Sequence, residues 1–117
     1  MAQHYHQAMI HYLRKDFTHE DNGSVLVIGE IPAGSVICKA LSGVDVQVAF
    51  DAGTSNVADI GTSANDDLYG TDLALGSIAA VPLDEGVSMK VASDTELTIT
   101  PALSGTAATA SEATAII

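Results

Sequence analysis

The chain has 117 residues, a formal net charge of −11 and a hydrophobic content of 47%, of which little is aromatic. This length suits one domain. So strong a negative charge excludes the function classes that need a basic surface, which are binding to DNA or RNA and binding to anionic membranes. Residues 41–117 hold eleven of the fifteen acidic residues and one basic residue, Lys90, so the acidity is concentrated in the later part of the chain.

The N-terminal sequence lacks the basic start and the apolar centre of a secretory signal peptide, and we expect the protein to be made and used in a cytoplasm. No apolar run approaches the ~18 residues of a membrane-spanning helix. Cys38 is the only cysteine, so an intramolecular disulfide is excluded. Because Cys38 follows the apolar residues Val36 and Ile37, we predict that it is a buried small hydrophobic residue.

The N-terminal segment YHQAMIHYLRK fits two patterns. Tyr5, Met9 and Tyr12 have the spacing of one helix face, whereas Ile10, Tyr12 and Arg14 have the spacing of one strand face. We favour a strand or an extended arm for this segment.

From Ser24 onward the sequence predicts short strands separated by turns. Alternation of buried and polar positions is clearest in VDVQVAF, where Val44, Val46 and Val48 are separated by Asp45 and Gln47. About eight strands at regular spacing are typical of an all-β sandwich or barrel. The predicted strands lie in SVLVIGEI, SVICKAL, VDVQVAF, NVADIGT, SIAAVPL, VSMKVAS, ELTITPAL and TAATASEATAII.

The pattern also predicts how the chain is divided. Residues 1–20 are an N-terminal arm or edge strand, and residues 21–117 are the β-sandwich domain. The two Gly-Thr-Ser copies are interpreted as the two ends of one strand, and DDLYGTDLAL as one or two helical turns.

The segment Asp51–Asp72 is the first candidate for chemistry, because it carries five aspartates that could supply oxygen ligands to calcium. The order of ligands in an EF-hand loop is absent, however. Aspartate and asparagine also stabilise tight turns, so solvated turns are the favoured interpretation.

The four histidines are the second candidate, because all of them fall in the first nineteen residues. His4 and His6 share one side of a strand, and His11 or His19 could complete a zinc site. Without a cysteine or a metalloprotease motif among them, surface or interface histidines are favoured. No nucleophile or phosphate-binding motif is found, so we predict no enzymatic activity and no cofactor.

The segments EIPAGSVI, VDVQVAFDAGTSNVADIGTS and VSMKVASDTELTITPALSGTA resemble the small β-rich virion proteins of tailed bacteriophages. The class most similar to them is the capsid decoration, or cement, proteins, which have jelly-roll folds. The resemblance covers about Ser24–Ala107 and consists of the Ile31–Gly34 turn, the alternating strand, the acidic Gly-Thr-Ser loop and the later Ser-Gly-Thr.

This resemblance implies a jelly-roll-like β-sandwich without catalytic residues. It implies a subunit that binds the major capsid protein on the outside of the capsid, often as a dimer or trimer, in virions assembled in the host cytoplasm. The predicted partner contacts lie in the less acidic N-terminal segment, because arginine and aromatic residues dominate interface energies. They are Tyr5, Met9, Tyr12, Arg14, Lys15 and Phe17.

Four alternatives remain open from the sequence. The chain could be a head–tail or tail component, or a calcium-dependent binding or adhesion module that uses Asp51–Asp72. A small cupin-like metal enzyme that uses the histidines is the least favoured. The Ala/Thr-rich C-terminal segment could instead add a strand to the open sheet edge of a neighbouring subunit.

Overall fold

The computed structural model of the chain describes residues 11–117, which form an all-β sandwich of eight strands. Two single-turn 3₁₀ segments, His19–Asp21 and Lys39–Leu41, are the helical parts of this range. The strands are β1 (Arg14–Phe17), β2 (Leu26–Ile31), β3 (Gly43–Val48), β4 (Ser55–Thr62), β5 (Gly70–Ala74), β6 (Ala79–Pro82), β7 (Thr95–Ser104) and β8 (Glu112–Ile116).

The strands pair in a nested order. One sheet has the order β1-β8-β3-β6 and the other β2-β7-β4-β5, and all neighbours are antiparallel. The first strand therefore pairs with the eighth, the second with the seventh, the third with the sixth and the fourth with the fifth. Every connection except that between β4 and β5 passes from one sheet to the other. Because β1 has β8 as its one neighbour in the first sheet, β1 is an edge strand.

The core lies between the inner faces of the two sheets. Val44 and Val46 are buried while Asp45 and Gln47 are exposed, which confirms the predicted alternation for these four residues. It is wrong for Val48, which is 39% exposed, because the β3–β8 pairing changes register between Val46 and Val48. Phe17 packs on Phe50 with ring centroids 5.7 Å apart, within the distance range of favourable aromatic pairs. The rest of the core is mostly small and branched aliphatic side chains: Ile28, Ile37, Ala58, Ile60, Leu73, Leu75, Leu83, Leu97, Ile99, Ala113 and Ala115.

Six predicted strands are confirmed as β2, β3, β4, β6, β7 and β8. The two Gly-Thr-Ser copies do flank one strand, because β4 begins at Ser55 and ends at Thr62. The N-terminal segment predicted as a strand or extended arm is a strand from Arg14, where β1 begins, whereas Tyr5, Met9 and Ile10 lie outside the described residues.

The strands predicted in SVICKAL and VSMKVAS are wrong. These two segments run past each other with one antiparallel bridge between Val36 and Lys90. Ile37 N–H donates to the Met89 carbonyl over 2.8 Å, and Val91 N–H donates to the Ser35 carbonyl over 2.9 Å. Ile37 and Val91 are buried, but the pairing does not extend beyond this one bridge, so both segments remain loops.

The helical turns predicted in DDLYGTDLAL are also wrong, because this segment contains the strand β5. Leu73 is buried opposite Ala58 of β4, and this burial outweighs the weak local preference for a helical turn. Asp72 has a φ of 51°, an unusual value outside glycine. Its N–H donates to a carboxylate oxygen of Asp59 over 2.8 Å, which holds this conformation at the sheet edge.

N-terminal truncation tests how much β1 contributes to the free energy of unfolding. Removing residues 1–19 deletes β1 and Phe17, so it should lower the free energy of unfolding by at least about 3 kcal/mol, as expected for loss of a buried aromatic side chain. The chain that lacks residues 1–10 and keeps β1 is the reference for this comparison. Urea unfolding of both variants measures the difference, and equal stabilities would show that β1 contributes nothing to the sandwich.

Candidate interaction surface

The predicted contact residues do not share one environment. Tyr5 and Met9 lie outside the described residues. Tyr12 is exposed and Arg14 lies on the same outer side of the chain, two residues further on. Phe17 is buried in the core against Phe50, so it presents no surface to a partner and is removed from the candidate contacts.

Arg14 is paired within its own strand. Its guanidinium donates to Asp16 over 2.8 Å, and both side chains are more than half exposed, so the pair adds little stability. Asp16 also accepts a hydrogen bond from the Thr114 hydroxyl of β8 over 2.7 Å. The hydrogen bond from Arg14, followed by that from Thr114, lowers the pKa of Asp16. Lys15, on the next position of β1, has no such carboxylate pairing in the described structure.

An apolar groove of about 550 Å³ lies beside the start of β1, and we name it the terminal groove. One wall comes from His11–Leu13 and the end of β8, and the other from the end of β2. The loop between β2 and β3 completes it. The lining residues are His11, Tyr12, Leu13, Glu30, Ile31, Pro32, Ser35, Val36, Ile37, Cys38, Leu41, Ser42, Ile116 and Ile117.

The groove depends on how β1 begins. Leu13 and Ile117 exchange backbone hydrogen bonds of 2.9 and 3.0 Å, which extend the β1–β8 pairing by one residue pair. Leu13 then packs over Gly29 of β2, where a Cβ atom would lie within 3 Å of the leucine side chain. Without a Cβ at this position, the Leu13 side chain lies directly against the backbone of β2.

The prediction that Cys38 is buried is wrong, because it is exposed in the groove. The preceding residue, Ile37, turns into the core instead. At Cys38 the chain leaves the extended conformation and begins the 3₁₀ turn Lys39–Leu41, which holds the thiol on the surface. Ser42 stabilises this turn by donating its hydroxyl to the Cys38 carbonyl over 2.8 Å.

Two of the five carboxylates in the segment Asp51–Asp72 accept hydrogen bonds from the backbone. Asp51 accepts hydrogen bonds from the N–H and hydroxyl of Thr109, both 2.8 Å, and from the N–H of Ala110. Asp59 accepts the N–H of Asp72. Among residues 11–117 no group of three or more histidine, cysteine, aspartate or glutamate side chains is placed to hold a metal ion. The described geometry therefore gives the calcium alternative no support.

Two of the four histidines can be placed. His4 and His6 lie outside the described residues, and His11 lines the terminal groove. His19 Nδ1 lies 2.6 Å from the Ser111 hydroxyl, and that hydroxyl also accepts the backbone N–H of His19. This contact ties the β7–β8 loop to the first 3₁₀ turn. In the described part of the chain no carboxylate is hydrogen-bonded to the imidazole, so the pair does not form a catalytic triad there.

The C-terminal segment cannot serve as a strand donated to a neighbour while the fold is intact. Its strand β8 is paired on one side with β1 and on the other with β3. Both edges of β8 are therefore already hydrogen-bonded within this chain. The described fold does not support the alternative in which this segment adds a strand to the sheet of a neighbouring subunit.

Comparisons with protein-family models, with curated proteins and with solved structures return no match for this chain. Within residues 11–117 the structure contains no helix that is long and apolar enough to cross a membrane.

Asp51 and Asp59 should make opposite contributions to acid stability. Hydrogen bonds from Thr109 and Ala110 lower the pKa of Asp51 from its ordinary 3.8, so its contribution is present above that pH and is lost as the pH falls through the lowered pKa. Burial, against the hydrogen bond from Asp72, raises the pKa of Asp59, so its contribution is present below the ordinary value and is lost as the pH rises through the raised pKa.

We therefore expect Asp51→Asn to lower the melting temperature at about pH 7, with a difference that shrinks towards about pH 3. Asp59→Asn keeps an oxygen for the Asp72 N–H and removes a disfavoured charge, so it should raise the melting temperature at neutral pH. Thermal unfolding of both variants across this range gives the signs, and a shift of the same sign in both would contradict these assignments.

Proposed function

We propose that this chain is a non-enzymatic virion structural protein, a decoration subunit that binds the outside of a tailed-phage capsid and stabilises the shell. The proposal depends on where the acidic and the apolar side chains lie. Asp51 and Asp59 hold backbone segments, whereas the terminal groove presents apolar rims. Active sites need titratable groups that converge in a pocket, whereas contact surfaces need exposed apolar residues.

We further infer that the sandwich has jelly-roll topology. Wrapping one long antiparallel hairpin into two facing sheets gives nested pairs, and the pairs β1–β8, β2–β7, β3–β6 and β4–β5 follow that order. Eight-stranded double-sheet jelly rolls are common in viral capsid domains. A fold does not define a function, so this agreement supports the proposal only together with the sequence resemblance and the surface.

The acidic surface supports the same role. A net charge of −11 keeps a protein soluble at high copy number and repels nucleic acid. We therefore assign the contacts with coat subunits to the least acidic part of the chain. The stretch His11–Lys15 has no acidic residue and contains two basic ones, which fits the predicted contact at Tyr12, Arg14 and Lys15.

The position of the chain in an intact particle tests this proposal. Virions of the virus that encodes the chain would be purified, treated with nuclease and protease, and examined by mass spectrometry and cryo-electron microscopy. We expect the chain on the outer surface of the head at regular lattice positions. Density in the tail or neck would establish the head–tail or tail alternative, and absence from purified particles would refute a virion role.

A charge reversal tests whether β1 contacts the shell. We expect Lys15→Glu to weaken binding to shells that lack the chain, and to do so more at low salt, because an electrostatic contact is screened by ions. Lys90→Glu is the control, since it makes the same change in net charge at an exposed position away from β1, between β6 and β7. Co-sedimentation with shells measures both, and equal losses would assign the effect to overall charge instead of a contact at β1.

A further inference from the structure

The dipeptide Asn22-Gly23 occurs once in the chain and lies exposed between the first 3₁₀ turn and β2. It forms the centre of a tight turn, because Asn22 has a φ of −52° and a ψ of 127°, and Gly23 has a φ of 78°. Ser24 N–H closes this turn by donating to the Asp21 carbonyl over 2.9 Å. These angles are those of a type II turn, which needs a positive φ at its third residue. The fold therefore favours a glycine directly after this asparagine.

An asparagine followed by glycine is prone to deamidation, because glycine has no side chain to hinder attack by its own backbone nitrogen. In this reaction the Gly23 nitrogen loses its proton and bonds to Asn22 Cγ, while the Cγ–Nδ2 bond breaks and ammonia leaves. Water then opens the cyclic imide and leaves an aspartate or an isoaspartate. Water is the only co-reactant, so the sequence at this turn carries all of the chemistry that the reaction needs.

Three features of the folded chain oppose this reaction. At a ψ of 127° the Gly23 nitrogen is turned away from Asn22 Cβ, whereas ring closure needs the two atoms nearly eclipsed. The Gly23 N–H donates to the Pro101 carbonyl over 2.8 Å. The Asn22 amide is bound through both of its polar atoms, since Nδ2 donates to the Leu103 carbonyl over 3.3 Å and Oδ1 accepts the Leu103 N–H over 2.8 Å. The amide must therefore leave β7 before it can react.

The two hydrogen bonds between Asn22 and Leu103, which we name the Asn22 clamp, place a side-chain amide against the edge of β7 in place of another backbone. An amide suits this position because it offers one acceptor and a donor in a single plane. An ionised aspartate has no donor, so one of its oxygens would face the Leu103 carbonyl. An isoaspartate also lengthens the backbone by one carbon. Neither product can form the clamp again.

We propose that Asn22 is a deamidation site protected by the fold, which reacts when the Asn22 clamp opens and whose product prevents the clamp from closing again. This inference goes beyond the proposed function, because it concerns the isolated chain and needs no capsid. The reaction makes a transient opening at this edge of β7 permanent. The modified fraction of a sample therefore increases with the time that the edge has spent open.

Peptide mapping by mass spectrometry tests the protection. The purified full chain is incubated in mildly alkaline buffer, both folded and in urea, and the conversion of Asn22 is followed with time. We expect conversion to be at least about tenfold slower in the folded chain, because the reaction then requires local opening. Asn65 is the internal control, since it is exposed but is followed by Asp66 instead of glycine, and it should react more slowly than Asn22 in urea.

The variant Asn22→Asp tests the effect of the product. We expect it to lower the melting temperature by roughly 3 °C or more, because one donor is lost and two acceptors face each other. Asn65→Asp is the matched control, since it makes the same change in charge at an exposed position. The Asn65 side chain accepts the Asp67 N–H through its oxygen, which an aspartate retains. Circular dichroism checks that both variants are folded.

Three results would overturn the proposal. Equal rates of conversion in the folded and the urea-unfolded chain would show that the fold gives no protection. Absence of conversion at Asn22 in urea would remove the site. Equal melting temperatures of the two aspartate variants would show that the product keeps the clamp. None of these results bears on the virion assignment, because the position of the chain in particles is measured separately.

Discussion

The pairing of β1 with β8 is the interaction on which the rest of this structure depends. It brings a strand near the start of the chain against the last strand of the sandwich, and it fixes Phe17 opposite Ala113 with its ring against Phe50. The same pairing continues through Leu13 and Ile117, where it forms one wall of the terminal groove. Core and candidate contact surface are thus two consequences of one set of backbone hydrogen bonds.

Much of the sandwich could be predicted because parts of its strands follow a two-residue period. Val44 and Val46 of β3 and Leu97 and Ile99 of β7 are predicted inward and are buried, although Val48 departs from the pattern. The period fails to identify β5, because its apolar residues are few and Asp72 takes an unusual backbone conformation. Only the neighbouring strand β4, which the sequence does not place in space, makes that segment extended.

The groove could not be predicted for a related reason. Its walls come from three stretches that lie far apart in the sequence, near Tyr12, between Glu30 and Ser42, and at Ile116. Cys38 follows the apolar residues Val36 and Ile37, yet the segment is a loop with an exposed thiol. Local patterns report which residues are apolar, but only the nested strand order decides that these three stretches meet.

The edge of β1 favours side-chain contacts in the groove over strand addition. Arg14 and Asp16 cover the outer side of this short edge strand and are engaged with each other. Charged residues on a short edge strand disfavour pairing with a strand from another chain, because the new neighbour would have to desolvate them. On the opposite side β8 is fully paired. A partner at this end of the sandwich therefore gains more from the apolar surface at Tyr12 and Leu41 than from the backbone, so association here depends on side chains and not on an extension of the sheet.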